Sequence, residues 1–149
     1  MLKGLSFAKY NVLHWHIVDD PSFPYHSEVF PSLSEKGAYS PSHVYSRSDI
    51  RDVISYAEEH AMVVVPEFDT PGHVNSWGKA LPGFTTYCPG KGAMGTDYGP
   101  ADPTREENYV ILEKLFTEIT SLFPSAYVHL GGDEVPFGCW LVNMHILII

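Results

Sequence analysis

The sequence predicts an α/β fold whose strands run parallel. Three segments rich in β-branched and aromatic residues, at 11–18, 61–68 and 126–132, alternate with two segments whose apolar residues recur at helical spacing, at 48–60 and 104–122. This alternation of strands and helices is typical of parallel βαβ units. The 149 residues suffice for one domain. A complete eight-stranded α/β barrel would need roughly 200 residues or more.

The first part of the chain places one strand between a helix and a loop. The first ten residues are expected to end an amphipathic helix, with Leu2, Leu5 and Phe7 as its apolar contacts. The strand at 11–18 should stop before Pro21, because proline cannot extend a strand ladder. Residues 21–46 contain four prolines and are expected to form a long loop.

Both predicted helices have a start signal. Ser48 is the expected N-cap of the first, which buries Ile50, Val53, Ile54 and Ala57. Thr104 and Glu107 have the spacing of a capping box at the start of the second. The second helix should end at Pro124, and its expected buried side consists of Val110, Leu112, Leu115, Phe116, Ile119 and Leu122.

Composition and charge exclude several classes of function. Eighteen acidic residues against nine basic ones give a net charge of -9 and a pI near 5.2, which argues against nucleic acid as a partner. No segment has the roughly 18 apolar residues that a membrane span needs. The N-terminal residues contain no secretory signal pattern. Cys88 and Cys139 are either free thiols or one disulfide, and their number does not decide between the two.

Carboxylates follow each predicted strand: Asp19 and Asp20, then Glu67 and Asp69, then Asp133 and Glu134. Because active sites of α/β sheets and barrels lie at the carboxyl ends of the strands, these residues predict one acidic pocket. The glycine-rich and proline-rich loop at 70–103 is expected to form part of it.

Asp133 and Glu134 are the first candidates for catalysis. Adjacent strand residues face opposite ways, but Gly131 and Gly132 permit backbone angles that can re-aim both side chains. Two converging carboxylates suit glycoside hydrolysis, in which one acid protonates the leaving oxygen. The alternative is a solvated loop with two ordinary surface acids.

His73 and Trp77 are the candidates in the 70–103 loop. A hydrogen bond from His73 to Glu134 would tune the pKa of that acid, and Asp19 would orient the imidazole. The alternative for His73 is a loop histidine that hydrogen bonds only to the backbone. Trp77 is expected to stack on a sugar, with a place in the core as its alternative.

His14 and His16 support a rival hypothesis. Alternate residues of a strand share a face, so both imidazoles could bind one metal ion, with Asp19 or Asp133 as a further ligand. The chain would then be a metal-dependent barrel hydrolase. Trp15 and its apolar neighbours favour buried, hydrogen-bonded histidines instead.

Three motifs resemble those of the β-N-acetylhexosaminidases of glycoside hydrolase family 20, most closely the eukaryotic lysosomal type. They lie at residues 14–25 (HWHIVDDPSFPY), 67–73 (EFDTPGH) and 129–135 (HLGGDEV). The resemblance implies a partial (β/α)8 TIM barrel with about three parallel strands and intervening helices. It covers 1–140 as a fragment of the catalytic domain, and leaves 141–149 as an apolar tail outside the family pattern.

The resemblance also implies an activity and a role for each site residue. The substrates would be glycans that end in N-acetylglucosamine or N-acetylgalactosamine, hydrolysed with retention of configuration and without a cofactor or metal. Catalysis would be substrate-assisted, since the 2-acetamido oxygen of the sugar replaces a protein nucleophile. Glu134 would be the general acid and then the base, Asp133 would orient the acetamido group, and His73 with Asp19 would support the protonation state of Glu134.

Further implications concern the setting of the chain. Cys88 and Cys139 match positions that form a disulfide in related animal enzymes, which favours the lysosome or the extracellular space. Full-length relatives are expected to be dimeric. The family's substrate-binding arginine and several pocket-wall residues have no counterpart here. The chain is therefore expected to be a fragment, and the alternative to hydrolysis is an inactive fragment with at most sugar binding.

Overall fold

The fold is mixed α/β and contains a pair of parallel strands. The computed structural model describes residues 1–143 and residue 146. Strand β1 (Val12–Val18) pairs in parallel with β2 (Val63–Phe68), from Val12 opposite Val63 to His16 opposite Glu67. The register shifts between His16 and Val18. The parallel pairing predicted for the first two strands is therefore confirmed.

The third predicted strand, at 126–132, is present only as a bridge. His129 pairs in parallel with Glu67, its N–H donating to the Pro66 carbonyl at 2.9 Å. The Thr70 N–H donates to the Leu130 carbonyl at 2.9 Å. The prediction of a full strand is wrong, since within 126–132 His129 alone forms a bridge. Positive φ angles at Gly131 and Gly132 turn the backbone out of the extended conformation after it.

Helices and a hairpin surround the parallel pair. The 70–103 loop contains an antiparallel pair that the sequence does not predict, β3 (Thr85–Tyr87) with β4 (Tyr98–Ala101). The 21–46 loop contains a short helix. The helices are α1 (Leu2–Phe7), α2 (Ser32–Gly37), α3 (Arg47–Glu59), α4 (Asn75–Gly78), α5 (Glu106–Leu122) and α6 (Phe137–Val142).

Both predicted N-caps are wrong. Ser46 rather than Ser48 caps α3, in a capping box with Asp49, and the Ser48 hydroxyl pairs only with that of Ser46. At α5, the Thr104 hydroxyl donates to Asp102 at 2.7 Å, so it does not cap the helix, which begins after Arg105. At α3 the reciprocal bonds with Asp49 make Ser46 the cap, whereas at α5 the N-cap residue Arg105 makes no side-chain cap hydrogen bond.

The core confirms most of the predicted apolar positions. Buried residues of α3 and α5 include Ile50, Ile54, Leu115 and Ile119. Two expected contacts are wrong, since Phe7 is 79% exposed and Val110 is 47% exposed. None of the helices within 1–143 meets the length and hydropathy of a membrane span. Of the expected tail, 141–142 belong to α6, and 144, 145 and 147–149 lie outside the described residues.

A buried carboxylate on α5 fixes the loop that follows β1. Glu118 accepts hydrogen bonds from the hydroxyls of Tyr25 at 3.1 Å and Ser27 at 2.6 Å, and from the Glu28 N–H at 2.9 Å. Burial and the Glu118 charge raise the pKa of Tyr25, so its hydroxyl stays a donor. The chain leaving β1 is thereby tied to the helix that precedes the 129–135 motif.

Candidate active site

A cavity of about 430 Å³ opens at the carboxyl ends of β1 and β2. Its lining includes His14, His16, Glu67, His73, His129 and Asp133. The predicted acidic pocket therefore exists, although histidines contribute as much of its lining as carboxylates do.

Asp133 and Glu134 sit on a sharp turn, as the two preceding glycines predict. Gly131 has φ +76°, and a Cβ there would lie 1.6 Å from Oδ1 of Asp69. The Gly132 N–H donates to the same oxygen at 3.0 Å. Glu134 itself has φ +51°. Because only glycine avoids the clash at 131, Asp69 and Gly131 together determine where the two acids point.

The turn places the two acids in different cavities, and His73 lines both of these cavities. Asp133 lines the main cavity, whereas Glu134 lines a neighbouring cavity of about 230 Å³ with Asp20 and Gly72. The Glu134 side chain is 79% exposed. Both acids are accessible to a ligand in solution.

Asp19, His73 and Glu134 form a continuous chain of ionisable groups. Oδ1 of Asp19 lies 2.9 Å from Nδ1 of His73. Nε2 of His73 lies 3.6 Å from Oε2 of Glu134, which is an ion-pair distance rather than a hydrogen bond. The structure thus brings together the three residues predicted to cooperate.

The ionisation of this chain follows from its contacts. Burial would lower the pKa of His73, but the hydrogen bond and charge of Asp19 outweigh it and raise that pKa above its ordinary value. Burial would raise the pKa of Asp19, yet the Asp20 N–H and His73 lower it. The Asp19 carboxylate therefore stabilises the imidazolium form of His73.

Neighbouring groups hold the His73 loop against the end of β1. The Ser76 hydroxyl donates to the Asp19 carbonyl at 2.7 Å, and the Asn75 N–H donates to the Asp20 carboxylate at 2.9 Å. These bonds connect the start of α4 to β1, and so determine the position of the imidazole relative to Asp19.

Asp69 is a further residue of the site, although only its place at a strand end indicates it in the sequence. It is buried, and burial raises its pKa despite the hydrogen bond from Gly132. Its Oδ2 lies 3.9 Å from Nε2 of His73. Asp69 thus contacts both the turn that carries the acids and the imidazole beside them.

His14 and His16 do share a face of β1, as strand alternation predicts. Both face Glu67, whose Oε2 lies 2.5 Å from Nε2 of His14 and 3.3 Å from Nδ1 of His16. Of the further partners expected for a metal, Asp19 lies 3.4 Å from Nε2 of His16, whereas Asp133 lines the same cavity. Among the described residues, Asp133 forms no ion pair with either histidine. Burial would raise the pKa of Glu67, but hydrogen bonds from His16 and His14 lower it.

The prediction that Trp77 stacks on a sugar is wrong. Its side chain is fully buried, stacked on Phe84 with ring centroids 5.3 Å apart and edge-on to Phe23 at 5.2 Å. Since both neighbours are core residues, the indole has no face open to the cavity. The alternative of a core tryptophan is correct.

Cys88 and Cys139 form a disulfide, as the resemblance implies. The bond connects the end of the β3 strand to α6, which begins three residues after Glu134. A Cβ on Gly99 of β4 would lie 2.4 Å from Sγ of Cys139, so that position favours glycine. The disulfide holds the segment after the catalytic candidates against the β3–β4 hairpin.

Comparison with known proteins confirms the resemblance found in the motifs. Residues 1–148 match the model of the glycosyl hydrolase family 20 catalytic domain. The chain is 51% identical over 145 residues to mouse "Beta-hexosaminidase subunit beta". The matched residues make up 97% of this chain and 27% of the mouse protein.

Solved structures show the same likeness. A chitobiase from Flavobacterium johnsoniae superposes with a TM-score of 0.87 at 35% identity, over 99% of this chain and 22% of that one. A Vibrio harveyi exo β-N-acetylglucosaminidase, solved in complex with N-acetylglucosamine, superposes with a TM-score of 0.79 at 30% identity. This match covers 96% of this chain and 26% of the Vibrio harveyi protein. The chain spans about a quarter of the length of these proteins. It belongs to glycosyl hydrolase family 20, within the catalytic domain of that family.

Proposed function

We propose that this chain carries the catalytic acids of an enzyme that hydrolyses terminal non-reducing N-acetylhexosamine residues from glycoconjugates. The observation that carries the proposal is the Asp19–His73–Glu134 chain, with separations of 2.9 Å and 3.6 Å, beside Asp133. Family membership supports the glycosidase class, and the N-acetylglucosamine bound to the Vibrio harveyi relative supports the sugar.

Glu134 is the general acid in this proposal. It protonates the leaving glycosidic oxygen and becomes a carboxylate, which then accepts a proton from the attacking water. The imidazolium form of His73, whose Nε2 lies 3.6 Å from the Glu134 carboxylate, stabilises that carboxylate. Because Asp19 raises the pKa of His73, the imidazolium persists to higher pH than an isolated histidine would allow.

Asp133 orients the 2-acetamido group of the substrate. The carbonyl oxygen of that group attacks the anomeric carbon while the bond to the leaving oxygen breaks, giving a cyclic oxazolinium-like intermediate. The Asp133 carboxylate stabilises its positive charge. Water then opens the intermediate at the anomeric carbon, so two inversions give net retention. Adjacent acids suffice because each serves a different part of the substrate.

The fold proposed for the intact protein is a (β/α)8 barrel. β1, β2 and the segment around His129 would be three successive strands of it. The catalytic-domain portion would extend over 1–148, the residues that match the family model, rather than stop at 140 before a tail at 141–149. The parallel register and the acids at the carboxyl strand ends support this arrangement, since barrel enzymes build their sites there.

The test is release of nitrophenol from a nitrophenyl N-acetyl-β-glucosaminide. Glu134→Gln should lower the rate by roughly 10²–10⁴-fold, because it cannot donate the proton. Glu58→Gln, an exposed glutamate on α3, is the matched control and should keep the parental rate. A parent chain that releases nitrophenol no faster with Glu134 than with Gln at that position would remove Glu134 as the acid, whereas no release by the parent would contradict turnover by this chain.

Substrate assistance has its own test. A trifluoroacetamido analogue has a less nucleophilic carbonyl oxygen, so its hydrolysis should be slower if that oxygen attacks. Asp133→Asn should lower the rate on the acetamido substrate. An unchanged rate with the fluorinated analogue would contradict substrate assistance without contradicting the role of Glu134.

A sugar-binding chain without turnover is the second candidate. The 79% exposure of the Glu134 side chain favours it, because catalytic acids of glycosidases are tuned by burial. In that case the parent chain binds N-acetylglucosamine but releases no nitrophenol.

The proposed location is the lysosome or the extracellular space. The Cys88–Cys139 disulfide supports it, since disulfides persist in oxidising compartments. The full-length enzyme is proposed to be a dimer. Size-exclusion chromatography of that protein, and immunolocalisation with a lysosomal marker, test these two points.

A further inference from the structure

Three imidazoles surround one buried carboxylate on the floor of the main cavity. Glu67 is 5% exposed, and both of its oxygens face histidines. Oε2 lies 2.5 Å from Nε2 of His14 and 3.3 Å from Nδ1 of His16, and Oε1 lies 3.0 Å from Nδ1 of His129. The His14 and His129 rings lie 4.8 Å apart. The mechanism proposed above uses none of these four residues.

The hydrogen bonds of His129 leave its contact with Glu67 unexplained. The Gly131 N–H donates to Nδ1 of His129 at 3.1 Å, which requires a lone pair on that nitrogen. A nitrogen with a lone pair cannot also donate to Oε1 of Glu67, 3.0 Å away. Two electron-rich atoms therefore face each other, and a cation between them would be attracted to both. Because Nδ1 has a single lone pair, binding a cation there replaces its hydrogen bond from the Gly131 N–H.

The donor set is one that zinc favours. Two imidazole nitrogens and one carboxylate are the protein ligands of many open zinc sites, with bonds of about 2.0–2.2 Å. One ligand atom each from His14, Glu67 and His129 lies within 4.8 Å of the others. The rings of His14 and His129 are about half exposed, so solvent reaches the cluster and small side-chain movements can accommodate an ion.

Surrounding groups favour a cation in the same place. His16 contacts Glu67 through Nδ1 and lies 3.4 Å from Asp19 through Nε2, so it connects the cluster to a second carboxylate. Asp69 and Asp133 line the same cavity and add negative charge. Such outer partners orient ligands and strengthen metal binding.

We propose that His14, Glu67 and His129 form a binding site for Zn²⁺, with the fourth coordination position open to the cavity. The ion is bound through Nε2 of His14, Nδ1 of His129 and a carboxylate oxygen of Glu67. Binding displaces the proton that His14 shares with Glu67, because zinc takes the lone pair of Nε2. The proposal concerns binding and does not depend on hydrolysis.

The experiment is calorimetric titration of the metal-free 149-residue chain with Zn²⁺, together with the visible absorption of its Co²⁺ form. We expect one ion per chain and the absorption of a tetrahedral cobalt site. His14→Gln and His129→Asn should each weaken binding roughly tenfold or more. The amide nitrogen of His14→Gln can keep the hydrogen bond to Glu67, and the amide oxygen of His129→Asn can keep the hydrogen bond from the Gly131 N–H. Neither variant keeps the imidazole nitrogen that binds the metal.

The matched control is His43→Ala, an exposed histidine that bonds to Ser40 and lies outside this cavity. It should leave zinc affinity unchanged. Absence of zinc binding by the parent, or equal affinity in the His14→Gln/His129→Asn double variant, overturns the site. Because the titration contains no substrate, an inactive chain that binds zinc contradicts only the proposed hydrolysis, and an active chain that does not bind zinc contradicts only the metal site.

Discussion

His73 is the residue on which the electrostatics of the candidate site depend. Asp19 raises its pKa above the ordinary value of 6.5, and His73 in turn helps to lower the pKa of Asp19 below 3.8. The contribution of His73 to stability is complete below pH 6.5 and is lost as pH rises through its raised pKa. The contribution of Asp19 is present above pH 3.8 and is lost as pH falls through its lowered pKa.

Asp19→Asn should therefore destabilise the fold most between pH 3.8 and 6.5, the interval in which both groups contribute fully. The difference in unfolding free energy from the parent should shrink on either side. Urea denaturation across pH measures it, and NMR titration should show the His73 midpoint moving to lower pH. Asp52→Asn, an exposed change on α3, is the control. A midpoint of His73 that does not move would contradict the coupling.

Gly131 is the residue that fixes the direction of the two acids. Alanine there would place Cβ 1.6 Å from Oδ1 of Asp69 at a φ of +76°. We expect Gly131→Ala to cost roughly 2–3 kcal/mol of stability and to displace the 133–134 turn. Gly138→Ala in α6 has open space around its Cβ and should be within ~0.5 kcal/mol of the parent. Thermal unfolding of both variants tests this, and equal losses would argue against the clash.

The sequence predicts the chemistry-bearing residues better than it predicts their partners. Asp19, His73 and Glu134 come together because each lies near a carboxyl strand end, which is a regular consequence of parallel pairing. The contact of Asp69 with Gly132 depends on tertiary packing across the sheet. The same holds for Trp77, whose loop position indicates exposure although Phe23 and Phe84 enclose it.

Among the secondary-structure elements, helix α3 gives the sharpest test of local sequence signals. Ser46 accepts the Asp49 N–H at 3.2 Å, and the Asp49 side chain accepts the Ser46 N–H at 2.8 Å. Ser46→Ala should lower stability by about 1 kcal/mol, since it leaves a helix N–H without its cap. Ser48→Ala, two residues further along in α3, should change the unfolding free energy by no more than ~0.5 kcal/mol. Chemical denaturation of the pair measures the difference, and a larger loss at Ser48 would reverse the assignment.

The length and periodicity of each element explain which secondary-structure predictions succeed and which fail. The existence of α3, α5, β1 and β2 follows from periodicity, which short-range sequence patterns specify well. The hairpin of β3 and β4 has strands of only three and four residues, too short to give a periodic signal. Past the bridge at His129, the third segment cannot continue as a strand because Gly131 and Gly132 form the turn that follows it.

At the scale of the whole molecule, the cavity is open to solvent, so sugar binding can be measured separately from sugar hydrolysis. The chain covers about a quarter of the length of its relatives, and the acids at the cavity rim are exposed to solvent. A ligand that contacts Asp133 can therefore bind even where the reaction is slow. Binding is measurable through its effect on unfolding, because any ligand specific for the folded state stabilises it.

N-acetylglucosamine at about ten times its dissociation constant should raise the unfolding free energy by about 1.4 kcal/mol. Glucose, which has a hydroxyl in place of the acetamido group, should give little stabilisation because it lacks the group that Asp133 is proposed to orient. Asp133→Asn should lose most of the effect, whereas Glu134→Gln should keep it, since the leaving-group side is empty in the product sugar. Urea denaturation with and without each sugar measures all four cases. Equal stabilisation by glucose would show that the acetamido group is not recognised, and would leave the chain as a family member that binds sugars without the specificity proposed here.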